Sequence, residues 1–398
     1  MEFNKHKLGE FIDTISETST IKKQQVVLIN TSDVENGKVL NHKYTENKNL
    51  KGQFKKRFRK DDILYSEIRP KNKRFAYVDF DASDYIASTK LMVLRNKGNI
   101  DNTFLYQLLK SNKIINQLQL LAESRSGTFP QITFNELANV EIEIPNIENQ
   151  IKISKILTDI DSKIEINNQT NDNLYEITNK LYEQLFVIER QDDWKEYNIQ
   201  ELMDISNGYS YTGKELVDTS VVGMATIKNF ERTGGFKEEG FKDIEPIKAK
   251  DIHYADKFDI LVACTDLTQN ADIIGNAIML LNIGKYEKVV ISMDLVKILP
   301  KKNKYLVFSI LNSKEFKNFA LGYKTGTTVL HLNKNCFKDF HIKLPDFDKI
   351  ENFEKVVETN YKKISYNLEE NNTLTQLRDS LLPKLMSGEI DLDKIENY

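Results

Sequence analysis

Apolar positions along the chain follow two alternating regimes. In the first, short β-branched and aromatic runs stand between polar turns: VVLIN (26–30), DILYSEI (62–68) and FAYVDF (75–80), then MATIKN (224–229), DILVACT (259–265) and VVISMDLVKIL (289–299). Such runs predict strands. One apolar-periodic helix follows each set, over 102–121 and 304–319. The second regime begins after EIEIP (141–145) and HIKLP (341–345), where apolar residues take up heptad spacing. Ile153, Leu157, Ile160, Ile164, Leu174, Leu181 and Leu185 fill seven of ten core positions, and Phe353, Val357, Ile364, Leu374, Leu381 and Leu385 fill six of ten. A sustained 3–4 alternation predicts a long helix packed on another helix, roughly 57 Å for some 38 residues. Pro383 is expected to end or kink the second one near its last turn.

The two regimes occur twice because the chain is an internal repeat. An ungapped offset of 200 pairs Pro145 with Pro345, Lys163 with Lys363, Ile164 with Ile364 and Leu174 with Leu374. The same offset pairs Asn167 with Asn367 and Asn171 with Asn371, all four at heptad core positions. Upstream, with small shifts, YIASTKLMVL (85–94) answers VVISMDLVKIL and TFLYQLLKS (103–111) answers YLVFSILNS (305–313). The expected fold class is α+β: two tandem mixed α/β domains separated by two long helices packed as an antiparallel coiled coil about a pseudo-twofold. The boundaries are 1–145, 146–187, 188–345 and 346–398. In that arrangement Asn167 faces Asn371 and Asn171 faces Asn367, as a register lock, since a buried amide is costly unless it is paired. The alternative is a seam opened to solvent at these positions.

Composition narrows the function. The 398 residues are 40% apolar and 29% charged, with a net charge of −3, ample for folded cores and not basic overall. No run of 18 apolar residues predicts a membrane span, and the charged N-terminal stretch lacks a signal-peptide core, so a cytoplasmic protein is expected. Cys264 and Cys336 have no metal-ligand or disulfide spacing, and Cys264 in ILVACT is read as a core residue rather than a nucleophile. No G-x-G occurs, the Gly-Lys pairs at 37, 213 and 284 are not followed by Ser or Thr, and no two prolines are adjacent. Dinucleotide-type glycine loops, a P-loop and the prolyl loop of amino-methyltransferases are thereby excluded. No metal site and no catalytic residue is assigned, which favours a recognition subunit over an enzyme.

Recognition has one strong candidate. In 51–75, ten cations (Lys51, Lys55, Lys56, Arg57, Arg59, Lys60, Arg69, Lys71, Lys73, Arg74) stand against Asp61, Asp62 and Glu67, a local charge of +7. Clustered cations suit phosphate, and Gln53 within the run suits a base edge. The competing reading is a solvated charged face with its aromatics turned inward. In the second half the polar segments 207–214, 264–272 and 322–329 offer Tyr209, Tyr211, Lys214, Thr268, Gln269, Asn270, Tyr323, Lys324 and Thr325. Small-residue turns stand at Gly127, Thr128 and Gln131 and at Gly326 to Thr328.

The tandem halves, the DILYSEIRP and DILVACT blocks, SGTFPQI and TGTTVLHL, the closing EIEIP and HIKLP, and a helix ending in LRDSLLPKLMSGEI resemble the specificity subunit of Type I restriction–modification systems. The resemblance covers nearly the whole chain. It implies two target recognition domains, each reading half of a bipartite, asymmetric sequence in double-stranded DNA. It also implies two modification subunits, which carry S-adenosylmethionine and methylate adenine, and restriction subunits, which use ATP and Mg; this chain itself would hold no cofactor. Gly127, Thr128 and Gln131 match the turn that the family places before its last strand, where a DNA contact and a plain structural turn both remain open. The rival reading from the residues alone is a non-enzymatic coiled-coil scaffold whose duplicated domains bind proteins.

Overall fold

The computed structural model describes the chain apart from residues 1, 2, 19, 20, 36, 49, 51, 126, 233, 267–271, 328, 391 and 393–398. The fold is α+β, with mixed sheets and two long helices that pack together. It divides into two units, residues 1–163 with 375–398, and residues 164–374.

The first unit holds two four-stranded sheets. One is antiparallel, in the order Ile12–Thr14, Leu91–Asn96, Ile63–Ser66, Phe75–Tyr77. The other runs Tyr44–Glu46, Gln25–Ile29, Tyr85–Ser88, Phe54–Arg57, with a parallel central pair. Ile63–Ser66 and Tyr85–Ser88 are buried at every position, which is why their sequences read as continuous apolar runs rather than alternations. Glu141–Ile144 alternates exposed and buried instead, and pairs with Asn4–Lys7 just before the first long helix.

The second unit repeats this order. Met203–Asn207, Leu295–Pro300, Ile260–Ala263 and Ala277–Met279 form one sheet. Lys242–Asp243, Val222–Ala225, Lys288–Ile291 and Tyr254–Ala255 form the other, again with a parallel central pair. Lys195–Asn198 pairs with His341–Leu344 as the closing ribbon. A three-stranded sheet of Thr265–Asp266, Leu330–Leu332 and Lys324–Thr325 has no counterpart among the described residues of the first unit.

Each apolar helix predicted as a single piece is two. Asn102–Leu109 is followed by Asn112–Arg125, and Lys304–Asn312 by Lys314–Leu321. A serine stands at each break. Ser313 Oγ accepts from the Phe316 amide at 3.1 Å, and Ser111 Oγ from the Ile114 amide at 3.4 Å, so each starts a new helix where apolar spacing alone reads as continuous.

The long helices span Ile147–Tyr182, prolonged by a π turn at Glu183–Ile188, and Phe347–Ser387. The second runs on past Pro383 instead of ending there. The carbonyl deprived of its donor is that of Asp379, an exposed residue that water can serve, and the helix stops at Gly388, whose φ of +74° is the left-handed value of a C-terminal cap. Within the second unit the two helices are antiparallel. Asn167 Nδ2 donates to Asn371 Oδ1 at 2.9 Å and to Glu370 Oε2 at 2.7 Å, and Asn367 Nδ2 donates to Asn171 Oδ1 at 2.7 Å. All four asparagines are buried, and Asn367 Oδ1 has no partner among the described residues. Within the first unit, Ile153 and Leu157 share a core with Leu382 and Leu385. One turn further along, Asp161 takes Lys110 Nζ at 2.5 Å, Gln107 Nε2 at 3.0 Å and Arg378 Nη1 at 3.0 Å.

Candidate nucleic-acid interface

The basic run of the first unit is divided by strand geometry. In Phe54–Arg57 side chains alternate across the sheet, so Lys55 and Arg57 are exposed while Lys56 turns inward. Lys56 Nζ donates to the Leu91 carbonyl at 2.8 Å and lies 3.9 Å from Glu67, and burial pulls its pKa below the ordinary lysine value. Lys56 is therefore spent inside the domain and offers nothing to a phosphate. Phe58 is buried, and Arg59 and Lys60 project from the turn that follows it. Gln53 is also exposed; Lys51 lies outside the described residues.

The second cluster is a turn. Pro70–Asn72 forms a single 3-10 turn with Arg69 at φ +45° and Lys73 at φ +51° on either side. Left-handed backbone costs a side-chain-bearing residue about 1–3 kcal/mol, so two such positions persist only where the surroundings impose them. Here they do. The Arg69 amide donates to the Pro130 carbonyl at 3.1 Å, Arg69 Nη2 to the Thr128 carbonyl at 3.3 Å, and the Lys71 amide to Gln119 Oε1 at 3.1 Å. Arg74 is half-buried, its Nη1 donating to the Thr31 carbonyl at 2.8 Å, so it fastens the turn from below. Gln131 bridges to Ile68 and accepts from Lys90 Nζ at 3.1 Å. Lys55, Arg57, Arg59, Lys60, Lys71 and Lys73 are exposed, and no carboxylate among the described residues pairs with them. Asn72, between two of these lysines, is exposed as well; sequence reasoning passed over it, although its place in Pro-Lys-Asn-Lys was signal enough.

The second unit is different in kind. Tyr209 is buried: its hydroxyl donates to Glu215 Oε2 at 2.5 Å and accepts from the Lys248 amide at 3.1 Å, leaving none of it for a base. The Tyr209 hydroxyl, the Thr212 amide and the Ile247 amide hold the Glu215 carboxyl down to about 2. Tyr211 is half-buried, and exposed Lys214 lies on an open depression that Glu215 and Glu245 also line. Tyr323 is half-buried, its hydroxyl donating to Asp339 at 2.8 Å; Lys324 and Thr325 are exposed on an edge strand, where Thr325 Oγ1 donates to the His331 carbonyl at 3.3 Å. Thr268, Gln269, Asn270 and Thr328 lie outside the described residues. Cys264 and Cys336 are buried, and burial pushes both thiols up to about 12, as expected of core residues. Among the described residues no cluster of His, Cys, Asp or Glu could hold a metal ion, and no helix is long and apolar enough to cross a membrane.

Residues 1–176 match the family model of the Type I restriction modification DNA specificity domain. Over 98% of its length the chain is 30% identical to the whole of the Type I restriction enzyme HindI specificity subunit of Haemophilus influenzae. The chain belongs to the Type I restriction enzyme specificity subunit family. As a specificity subunit it is a non-catalytic component, and DNA target recognition is the role that membership carries. A more distant specificity subunit, MjaIX of Methanocaldococcus jannaschii, is 22% identical over 78% of the chain and 76% of its own length. The crystal structure of the Type I restriction–modification S subunit from M. genitalium has the same fold, with a TM-score of 0.55 at 16% identity, over 97% of this chain and 96% of that one.

Proposed function

We propose that this specificity subunit reads a bipartite, asymmetric target in double-stranded DNA, with residues 1–145 and 188–345 as its two target recognition domains. Residues 146–187 and 346–398 would act as the spacer that sets the gap between half-sites. The observation that carries this reading is the duplicated domain: the same order of strands occurs twice, with a dense cationic cluster in one copy and loops of mixed charge in the other. One docking mode with two unlike surfaces suits two unlike half-sites. The helical spacer would also seat two modification subunits, with S-adenosylmethionine on them, and restriction subunits with ATP and Mg would join that core in the cytoplasm.

Mapping of adenine methylation in a host genome, with and without this gene and with the modification subunit present in both, tests the proposal. A bipartite motif of fixed gap should lose its methylation on deletion. An unchanged pattern beside a demonstrably active modification subunit would point to a protein-binding scaffold instead.

A further inference from the structure

The turn at 69–73 is built like a presented reading head. Its backbone is fixed on three sides: by Gln119 of helix Asn112–Arg125, by the carbonyls of Thr128 and Pro130, and by Arg74 reaching the Thr31 carbonyl. Gln119 is itself buried and held, its Nε2 donating to Glu123 Oε1 at 2.7 Å, so the oxygen facing the Lys71 amide cannot swing away. Pro70 is buried beneath the turn. What points outward is Lys71, Asn72 and Lys73, and the Asn72 side chain has no hydrogen-bond partner among the described residues. An amide offers one donor and one acceptor side by side, the pattern that matches N7 and N6 of adenine in the major groove, whereas ammonium groups on either side suit the phosphates. Rigidity matters because a group already held where it makes contact loses less freedom on binding and so reads a base at lower cost.

We propose that Asn72 is a base-reading residue of the first domain, that it takes an adenine through a paired hydrogen bond in the major groove, and that Lys71 and Lys73 hold the turn there through phosphate. This rests on the DNA-reading function proposed above and assigns one of its specificity determinants.

The full chain, assembled with its modification subunit, is presented with a library of duplexes randomised across the target. Asn72→Ala, and Asn72→Asp, which keeps the shape of the turn but loses the donor, should each relax selection at one A·T pair by about 10-fold or more with other positions unchanged; the salt slope should hold in Asn72→Ala and fall in Asn72→Asp, whose new carboxylate opposes Lys71 and Lys73. Lys71→Ala and Lys73→Ala should weaken all duplexes alike and reduce the salt slope by about one each. If both Asn72 variants select the same motif as the parent with undiminished discrimination, the assignment is overturned while the DNA reading stands. If the parent complex selects no motif, the DNA reading itself fails.

Discussion

A lysine counts toward DNA binding only if its ammonium reaches solvent, and three adjacent residues show how sharply that divides. Lys55 and Arg57 lie on the outer face of strand Phe54–Arg57, whereas Lys56 is bonded to the Leu91 carbonyl. Replacing Lys55 and Arg57 together by Ala should therefore lower the slope of log affinity against log salt by about two, as each phosphate contact contributes roughly 0.9. Lys56→Ala should leave that slope unchanged and lower thermal stability instead. A salt titration of DNA binding on the two variants decides the matter; an equal loss of slope in both would mean that the strand does not present its faces as described. The sequence displayed the charge of this run but not its division, because the two-residue period that separates inward from outward is masked where Lys55, Lys56 and Arg57 are cationic in succession. Tyr209 misleads for a related reason. Its polar neighbours read as a surface loop, yet the carboxylate six residues on, Glu215, folds beneath it and takes its hydroxyl.

At the level of elements, the helical seam was legible and its breaks were not. Heptad phase alone places Asn167, Asn171, Asn367 and Asn371 at core positions, where the structure buries them. The serine breaks at 111 and 313 escaped because one residue of capping chemistry is lost within an apolar period. Less visible still is how unlike the helix packing is within each unit. At the level of Asp161 it is ionic, with Lys110 and Arg378; at Tyr361 it is aromatic, with Tyr175, Tyr305 and Phe308 around a fully buried ring. Burial works to raise the Asp161 pKa, but Lys110, Gln107 and Arg378 outweigh it and hold the carboxyl below its ordinary value of 3.8. The contribution to stability is thus complete above that value and lost as pH falls below it through the folded-state pKa. Asp161→Ala strands half-buried Lys110 and leaves Arg378 with Asp379 as its one carboxylate among the described residues. Its expected cost is about 2–3 kcal/mol at neutral pH, less than the roughly 3–5 of a fully buried pair because solvent reaches all three groups. Thermal unfolding from pH 3 to 7 reads this out: the variant should fall short of the parent at pH 7, and the gap should narrow as the pH falls below 3.8.

For the whole molecule, the quantity the chain would control is the gap between half-sites. Seven residues inserted into each long helix preserve the heptad phase and lengthen each by about 10 Å, or roughly three base pairs. Methylation mapping should then return the same two half-sites with a gap longer by about that number. Altered half-sites with the original gap would show that the helices do not set the spacing.

The Asn167–Asn371 and Asn171–Asn367 contacts join residues 204 and 196 positions apart. On the ribosome, the first long helix therefore emerges well before the chain that will cover it. At about 5–20 residues per second, the interval is on the order of 10–40 seconds. A wholly aliphatic seam held open for that time would be a sticky surface in a crowded cell. One interrupted by amides can be wetted while it waits, and so the residues that weaken the finished seam ease the period before it closes.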